Sequence, residues 1–464
     1  MKTEPIVPAE LNTTAGGLPF STAFDDVYHP HVDAFLQARQ VFLAGNGLPE
    51  RWRGRDRFVV LETGFGLGHN FLATWDAWRA DPARCRHLVF VSIERHPLQR
   101  DALAAVHERS SRPEIARQLV DSWPPLTPNL HRVAFENGQV ELLLALGDVD
   151  AWLPELVMDV DAFFLDGFAP AKNPLMWQPR LFKALARLAA PGATAATWTS
   201  AAAIRHAFAT AGFEVTKTPG THGKRHITLA RYAPAFTPRR APSRIRPTAP
   251  RERRAVIVGG GLAGCATALA LANQGWQTTL LDRQSFPAEE TSGNPGGLFH
   301  GIVNAQDGTH ARFNRAAALF AQRAVAELLR HEPSSGGLHG LLRLESTLPD
   351  VAAMASVLAR VGLPDDYVAA LSAEEASDRC GMRLPFPAWF YPGGGWVRPA
   401  LLARHFLDQA APRAAFRGGI EVARLQRLGD RWFVLGVAGQ VLEQADVVVL
   451  ANAGDALRLL EAPA

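Results

Sequence analysis

Two glycine-rich loops, each entered from an apolar strand and left through a helix, constrain this 464-residue chain more than any other feature. The first strand pattern is FVVLE at 58–62 and runs into TGFGLG at 63–68. The second is AVIV at 255–258 and runs into GGGLAG at 259–264. A buried strand that turns through glycines into a helix needs a parallel neighbour to pair with. The chain is therefore expected to be α/β with two nucleotide-binding cores. Further apolar runs at 88–93, 140–146, 162–165 and 193–197 alternate with helical patterns at 70–79 and 181–189, which predicts a parallel, doubly wound sheet. In the second half a long helix is expected at 311–330, with late strands at 431–437 and 447–450. Residues 233–254 (APAFTPRRAPSRIRPTAPRERR) carry five prolines and seven arginines and cannot bury a core. The expected division is 1–234, a linker at 235–254, and 255–464. The linker arginines fit either plain solubility or contact with a polyanion.

Composition narrows the classes. Apolar residues are 47% and charged residues 20%, enough for sizeable cores and against a mostly disordered chain. No apolar run reaches the roughly 18–20 residues of a membrane span, and the opening MKTEPIVPAE lacks a secretion pattern. Cys85, Cys265 and Cys380 lie far apart in sequence. They argue against a disulfide framework or a cysteine-rich zinc site and suit a reducing cytoplasm. No metal is expected. The net charge of +3 says little, so the distribution of charge matters more.

In the first loop Glu62, Gly64, Gly66 and Gly68 stand in the spacing E-x-G-x-G-x-G, and all four are expected to contact the cofactor. An acid ends each of the next three strand patterns: Glu94 in VSIERHP, Asp148 in LLLALGDVD, and Asp166 in FFLDGFAP. Open α/β sheets bind ligands at the carboxyl ends of their strands. Glu94 there suits ribose hydroxyls, and Asp148 suits an adenine amine. Acids without a phosphate cradle suit S-adenosylmethionine, with another nucleotide as the alternative. Asp166-Gly167-Phe168-Ala169-Pro170 resembles the acid-and-aromatic motif of amino-group methyltransferases, which implies that Asp166 orients an amine or takes its proton while the Phe168 ring packs on the substrate. The bland reading of Asp166 is a cap on the Gly-Phe-Ala-Pro turn.

The second loop contains G-x-G-x-x-G at Gly259, Gly261 and Gly264, with Asp282 ending the next strand 18 residues on. This context points to a dinucleotide, with pyrophosphate at the helix start and ribose on the acid. An acid there disfavours NADP and leaves FAD or NAD. Ser292, Gly293 and Asn294 begin a small-residue stretch able to pass beside a large ring system, or simply to form a surface loop.

Taken together, FSTAFDDVY at 20–28, ETGFGLGHNFL at 62–72, FLDGFAPAKNPLMW at 164–177, TWTSAAAIRHAFATAGFEV at 197–215 and GKRHI at 223–227 resemble the bifunctional tRNA 5-methylaminomethyl-2-thiouridine biosynthesis family. So do VIVGGGLAGCATALALANQGW, SGNPGGLFHGIVN and GGGWVRPALL in the second half. The resemblance implies an N-terminal class I (Rossmann-like) methyltransferase domain and a C-terminal FAD-dependent oxidoreductase domain of the D-amino-acid-oxidase type. It implies two steps on U34, the wobble position of the tRNA anticodon loop. The FAD domain removes the carboxymethyl group of carboxymethylaminomethyl-uridine to leave the aminomethyl form. The other domain then transfers one methyl from S-adenosylmethionine to that amine. Lys172, Lys224 and Arg225 are expected on the tRNA-binding rim, with Arg180, Arg205 and Lys217 near them.

Two departures are visible. Gly296 stands where relatives often carry Gln. The chain also stops just after Asn452-Ala453-Gly454, which leads to the expectation of an incomplete oxidoreductase domain that binds FAD weakly. Competing readings are a SAM/FAD enzyme for a free amine or amino acid, a methyltransferase with a non-functional FAD domain, and a tRNA-binding protein with relic cofactor folds.

Overall fold

The computed structural model describes residues 4–29, 34–220, 225–236 and 252–461. Lys224 and most of the expected linker lie outside these residues. The chain divides into two compact units. One comprises Met1–Pro238 with Val303–Ala316 and Leu344–Trp389, and the other Arg239–Ile302 with Ala317–Arg343 and Phe390–Ala464.

The first unit opens with a small antiparallel sheet of β1 (Leu11–Thr13), β2 (Pro19–Ser21) and β3 (Asp26–Val27). Its main sheet has eight strands: β4 (Arg57–Thr63), β5 (His87–Glu94), β6 (Leu130–Phe135), β7 (Val140–Leu146), β8 (Val160–Leu165), β9 (Ala189–Thr197), β10 (Phe213–Pro219) and β11 (His226–Tyr232). Their order is β10-β11-β9-β8-β4-β5-β7-β6. The chain leaves β4 towards one edge and returns at β8 on the other side. That reversal opens a crevice at the carboxyl ends of β4, β5 and β8.

Side chains alternate across this sheet with period two. Phe58, Val60, Phe90 and Phe164 join one buried cluster, and Val59, Leu61, Val91 and Phe163 the other. The first face is covered by α1 (His69–Ala80), α2 (Arg100–His107) and α3 (Pro113–Asp121), with Phe71, Trp75, Leu103 and Ile115 in its cluster. The second is covered by α4 (Pro179–Leu188) and α5 (Ala202–Thr210), through Leu181, Phe182, Leu185 and Phe208. Each large apolar side chain fully buried in this way contributes about 1.5–3 kcal/mol.

The sheet is parallel and doubly wound at its centre, as expected, and antiparallel towards both edges. β6 pairs antiparallel with β7, and β11 pairs antiparallel with both β9 and β10. The β6–β7 connection is the single turn Glu136–Gly138. It is too short for a crossover, and a hairpin is the remaining solution. The unit also holds a fully buried Arg315. Its guanidinium donates to both oxygens of Asp307, at 3.0 and 2.8 Å, and to Asn129 Oδ1 at 3.1 Å.

In the second unit, β12 (Arg254–Val258) leads through the second glycine loop to α6 (Leu262–Asn273) and β13 (Gln277–Leu281). The helix expected at 311–330 is α7 (Thr309–His331). After α8 (Pro399–Ala410), β14 (Ala414–Arg417) and β15 (Val447–Leu450) complete a four-stranded parallel sheet of order β14-β13-β12-β15. Val422–Leu428, Arg431–Gly436 and Val441–Ala445 form an antiparallel sheet inserted before β15.

Candidate active site and dinucleotide cradle

The three glycines of the first loop all have left-handed backbone, with φ of 91° at Gly64, 52° at Gly66 and 78° at Gly68. Any other residue there is strained. Between them Phe65 and Leu67 turn inward and are buried, pinning the loop to the core. A Cβ on Gly64 would collide with the carbonyl oxygen of Asp166. The loop and the end of β8 therefore lie in direct contact, and the Asp166 N–H donates to Thr63 O at 3.2 Å.

A cavity of about 550 Å³ opens here. Gly64, Gly66, Glu94, Asp148, Asp166 and Phe168 all line it. Glu94 receives the Gly66 N–H on Oε2 and the His96 N–H on Oε1, both at 2.8 Å. Each oxygen keeps a lone pair for a further donor. Asp148 caps the short helix Val149–Trp152 by accepting from Asp150 N at 2.8 Å, and pairs with Arg95 at 3.1 Å. Glu62 behaves differently. It is fully buried and does not reach the cavity. Its carboxyl accepts from Asn70 Nδ2 at 2.8 Å and from Ser92 Oγ at 2.7 Å. Burial pushes its pKa up to about 8, with the Asp166 and Glu94 carboxylates adding to the rise against those two hydrogen bonds.

Asp166 accepts from the same Asn70 Nδ2, at 2.7 Å. Burial pushes its pKa up to about 7, and the Asn70 bond pulls it down. It does not act as a cap on the following turn in the way the bland reading supposes. That turn is held from elsewhere: Trp198 Nε1 donates to Gly167 O at 3.2 Å, Trp177 Nε1 donates to Phe168 O at 2.9 Å, and the Ala169 N–H donates to Asp26 Oδ2 at 3.0 Å. The Phe168 ring stacks on Phe24 with centroids 4.6 Å apart and meets Tyr28 edge-on at 5.2 Å. Burial, followed by the Glu94 charge, pushes the Tyr28 hydroxyl up to about 12, so the phenol stays neutral.

Phe24, Tyr28, His69, Asn70 and Ser92 also belong to the site, although no motif in the sequence singles them out. His69 and Asn70 immediately follow the third glycine, and Ser92 stands two before Glu94 on the same strand, so all three positions were open to inspection. Burial holds His69 well below the ordinary histidine range, with His107 and His29 adding to it, so it lines the cavity as a neutral ring.

Lys172, Arg180, Lys217 and Arg225 are exposed, Arg205 is half-buried, and some of these cations are paired. Lys172 forms an ion pair with Asp25, and Arg180 pairs with Asp150 at 2.6 Å. Arg225 is exposed at the start of β11. Its charge and those of Lys217 and Arg205 reach His226, whose pKa is lowered first by desolvation and then by these cations.

In the second unit Gly259 has φ of 108°, and a Cβ there would meet Ala451 O at 2.6 Å. A Cβ on Gly264 would collide with Gly259 O, so strand and helix approach as closely as backbone allows. Asp282 accepts from Gly260 N at 2.6 Å and from Gln284 N at 2.8 Å. Ser292 Oγ accepts from Leu262 N at 3.0 Å, at the first residue of α6. Gly293 makes room for Ala288 O, which a Cβ would approach to 2.7 Å, and Asn294 is exposed beside it. These residues fit a dinucleotide: two glycines a Cβ would jam, a helix start facing them, and an acid tied to the loop. Among the described residues, no group of three or more His, Cys, Asp or Glu could hold a metal ion, and no helix is long and apolar enough to cross a membrane.

An α/β methyltransferase core and a dinucleotide-binding oxidoreductase core in one chain define the class. Residues 111–233 match the family described as S-adenosyl-L-methionine-dependent methyltransferase, and residues 254–463 the family described as FAD dependent oxidoreductase. The tRNA 5-methylaminomethyl-2-thiouridine biosynthesis bifunctional protein MnmC of Methylibium petroleiphilum is 53% identical over 452 residues, 97% of this chain and 69% of that protein. Its namesake from Paraburkholderia phytofirmans is 46% identical over 98% of this chain and 70% of its own length. The crystal structure of MNMC2 from Aquifex aeolicus is 22% identical, with a TM-score of 0.41 over 49% of this chain and 71% of that one. The chain belongs to the bifunctional tRNA 5-methylaminomethyl-2-thiouridine biosynthesis family, and its cofactors are S-adenosylmethionine and FAD.

Proposed function

We propose that the chain carries out the last two steps on the wobble uridine U34 of tRNA, in the cytoplasm. Residues 255–464 convert carboxymethylaminomethyl-uridine to aminomethyl-uridine, and residues 1–234 methylate the resulting amine, with 235–254 as the linker. The observation that carries the methyl-transfer reading is the 550 Å³ cavity in which Asp166 and Phe168 face the acid-lined glycine loop.

S-adenosylmethionine supplies its methyl group from a sulfonium, and FAD supplies a two-electron acceptor. The chain's own residues do the rest. Gly64, Gly66 and Gly68 give the cofactor backbone to lie against, Glu94 takes ribose hydroxyls and Asp148 the adenine amine. Glu62, neutral at pH 7, holds the floor of the loop rather than touching ligand. Asp166 accepts an N–H of the substrate amine. With a pKa about 7 it can take that proton at neutral pH, as the nitrogen must lose one when it gains the methyl. Phe168, braced by Phe24 and Tyr28, packs on the substrate. In the second unit Gly259, Gly261, Gly264, Ser292, Gly293 and Asn294 hold the pyrophosphate side and Asp282 the ribose. Lys172, Lys224 and Arg225 contact the tRNA backbone.

The test is nucleoside analysis of tRNA bearing either modification after incubation with the purified chain. With S-adenosylmethionine, aminomethyl-uridine should become methylaminomethyl-uridine. With FAD, carboxymethylaminomethyl-uridine should be lost. Methylation of free amines with tRNA untouched would refute the tRNA reading.

A further inference from the structure

We infer that Asn70 is the positioning residue of the methyl-transfer site: its side-chain amide fixes the Asp166 carboxyl at the cavity wall by tying it to the buried carboxyl of Glu62. This rests on the methyl-transfer reading of the cavity.

The geometry is specific. Asn70 is the second residue of α1, directly after the glycine loop, and is buried. One atom, Nδ2, stands 2.8 Å from Glu62 Oε1 and 2.7 Å from Asp166 Oδ2. An amide NH2 has two hydrogens, so both are spent on these two oxygens. With Asp166 ionised, the opposite flip would point a carbonyl oxygen at its carboxylate, so the placement of nitrogen follows from its neighbours. Three elements are locked by this one group: the end of β4, the start of α1 and the end of β8. Ser92 Oγ on β5 holds the other oxygen of Glu62 at 2.7 Å, which extends the network to a fourth. Asp166 has one further hydrogen-bonding oxygen, Oδ1, for the substrate amine.

Glu62 from β4 lies beneath Asp166, and the cavity wall that Asp166 shares carries Glu94, Arg95 and His96 at the end of β5, His69 from α1, Asp148 and Asp150 after β7, and Glu10, Asp26, Tyr28 and His29 from the N-terminal segment. His69 and Tyr28 stay neutral near pH 7. Burial opposes ionisation of Asp166, and the Asn70 bond favours it. Removing the amide should therefore loosen Asp166 and make it harder to ionise. A displacement of about 1 Å in a reacting group can cost on the order of 100-fold in rate.

The experiment compares Asn70→Leu with wild type in the full chain. Readouts are S-adenosylmethionine affinity by calorimetry and single-turnover methylation of aminomethyl-tRNA from pH 5.5 to 9. The expected result is cofactor affinity within about threefold, a rate roughly 30–100-fold lower, and an acidic limb moved to higher pH. In an Asp166→Ala background, Asn70→Leu should cost nearly nothing more, since it acts through Asp166. If the leucine variant does not fold, Asn70→Asp takes its place, with the same loss and the same direction of shift expected. An unchanged rate, a loss confined to cofactor affinity, or full additivity with Asp166→Ala would each overturn the assignment. Wild type failing to methylate would instead refute the methyl-transfer reading itself.

Discussion

The two glycine loops use one device and then diverge. In each, the acid ending the second strand accepts an N–H of the loop and an N–H two residues beyond itself. Glu94 takes Gly66 and His96 at 2.8 Å each, and Asp282 takes Gly260 at 2.6 Å and Gln284 at 2.8 Å. Each loop is thus tied to the acid proposed to take the ribose hydroxyls. The divergence lies underneath. The first loop has three left-handed glycines over a network in which buried Glu62 and Asn70 reach up to Asp166 at the cavity wall. The second has left-handed backbone only at Gly259, and uses Gly264 to press a helix start against the strand. Curvature with acids suits a ligand recognised by its hydroxyls and amines. A helix start free of acid side chains suits a pyrophosphate.

Filling each loop in turn separates the two devices most strongly. Gly64→Ala puts a methyl into the Asp166 carbonyl, and Gly264→Ala puts one into the Gly259 carbonyl. Neither obstacle is a flexible side chain, so each change should cost about 3 kcal/mol or more locally. Gly64→Ala should abolish S-adenosylmethionine binding and leave flavin absorbance as in wild type, with Gly264→Ala doing the reverse. Calorimetry and the flavin spectrum read the two separately. Loss of both cofactors from either variant would show that the loops are not independent.

Next in size is Asp166→Ala, which should lower kcat for methylation by roughly 10²–10⁴-fold and leave cofactor affinity nearly unchanged. The pH profile follows from the raised pKa. Below about 7 Asp166 is protonated and cannot take a proton, so the single-turnover rate should fall about tenfold per pH unit and level off above that point. A flat profile in wild type, or an Asp166→Ala effect confined to cofactor affinity, would move Asp166 from the substrate side to the cofactor side.

The central strands were legible because their residues are buried on both faces and read as unbroken apolar runs, as in FVVLE and LVFVSI. The edge strands β6 and β10 were not, because LHRVAF and FEVTKTP mix polar residues into half-buried strands. The acids at strand ends could be placed from position alone. Their partners could not, since the Asn70–Asp166 bond spans 96 residues and Ala169–Asp26 spans 143. The spacing of Glu62 matches a cofactor contact of a nucleotide loop, yet its side chain does not line the cavity. Its inward direction, towards Ser92 and Asn70, is set by the strand's pleat and by what lies beneath it. Phe24 and Tyr28 sit in a sequence whose spacing carries no helix or strand signal, so only the fold brings them to Phe168.

A smaller effect sharpens the shared device. In Glu94→Gln and Asp282→Asn, one carboxylate oxygen becomes an NH2 that faces a backbone N–H. An amide can accept from only one of the two donors that the acid satisfies. Each variant should lose about 10–100-fold in affinity for its own cofactor, the scale of one or two hydrogen bonds to a charged group, and nothing for the other. Titrating both cofactors against both variants checks this. Equal loss of both cofactors in one variant would argue for global destabilisation instead.

The smallest effect expected is at Ser292. α6 begins at Leu262 and its N-cap is Gly261, which has no side chain to accept from the helix. Ser292 supplies the missing acceptor from another segment, its Oγ taking the Leu262 N–H at 3.0 Å. A hydroxyl used as an acceptor still has its own hydrogen, and here that hydrogen can be donated to a phosphate oxygen. Ser292→Ala removes both contributions, leaving one helix-start N–H for water and one fewer donor for the pyrophosphate. Net losses of about 0.5–1.5 kcal/mol for such a bond correspond to roughly 2–12-fold weaker FAD binding. Methylation should be unchanged, because Ser292 has no part in the first loop. Flavin retained at wild-type affinity would return the Ser292–Asn294 stretch to an ordinary surface loop. Complete loss would mean that Ser292 organises the whole helix start, and the second loop would then depend on one side chain much as the first depends on Asn70.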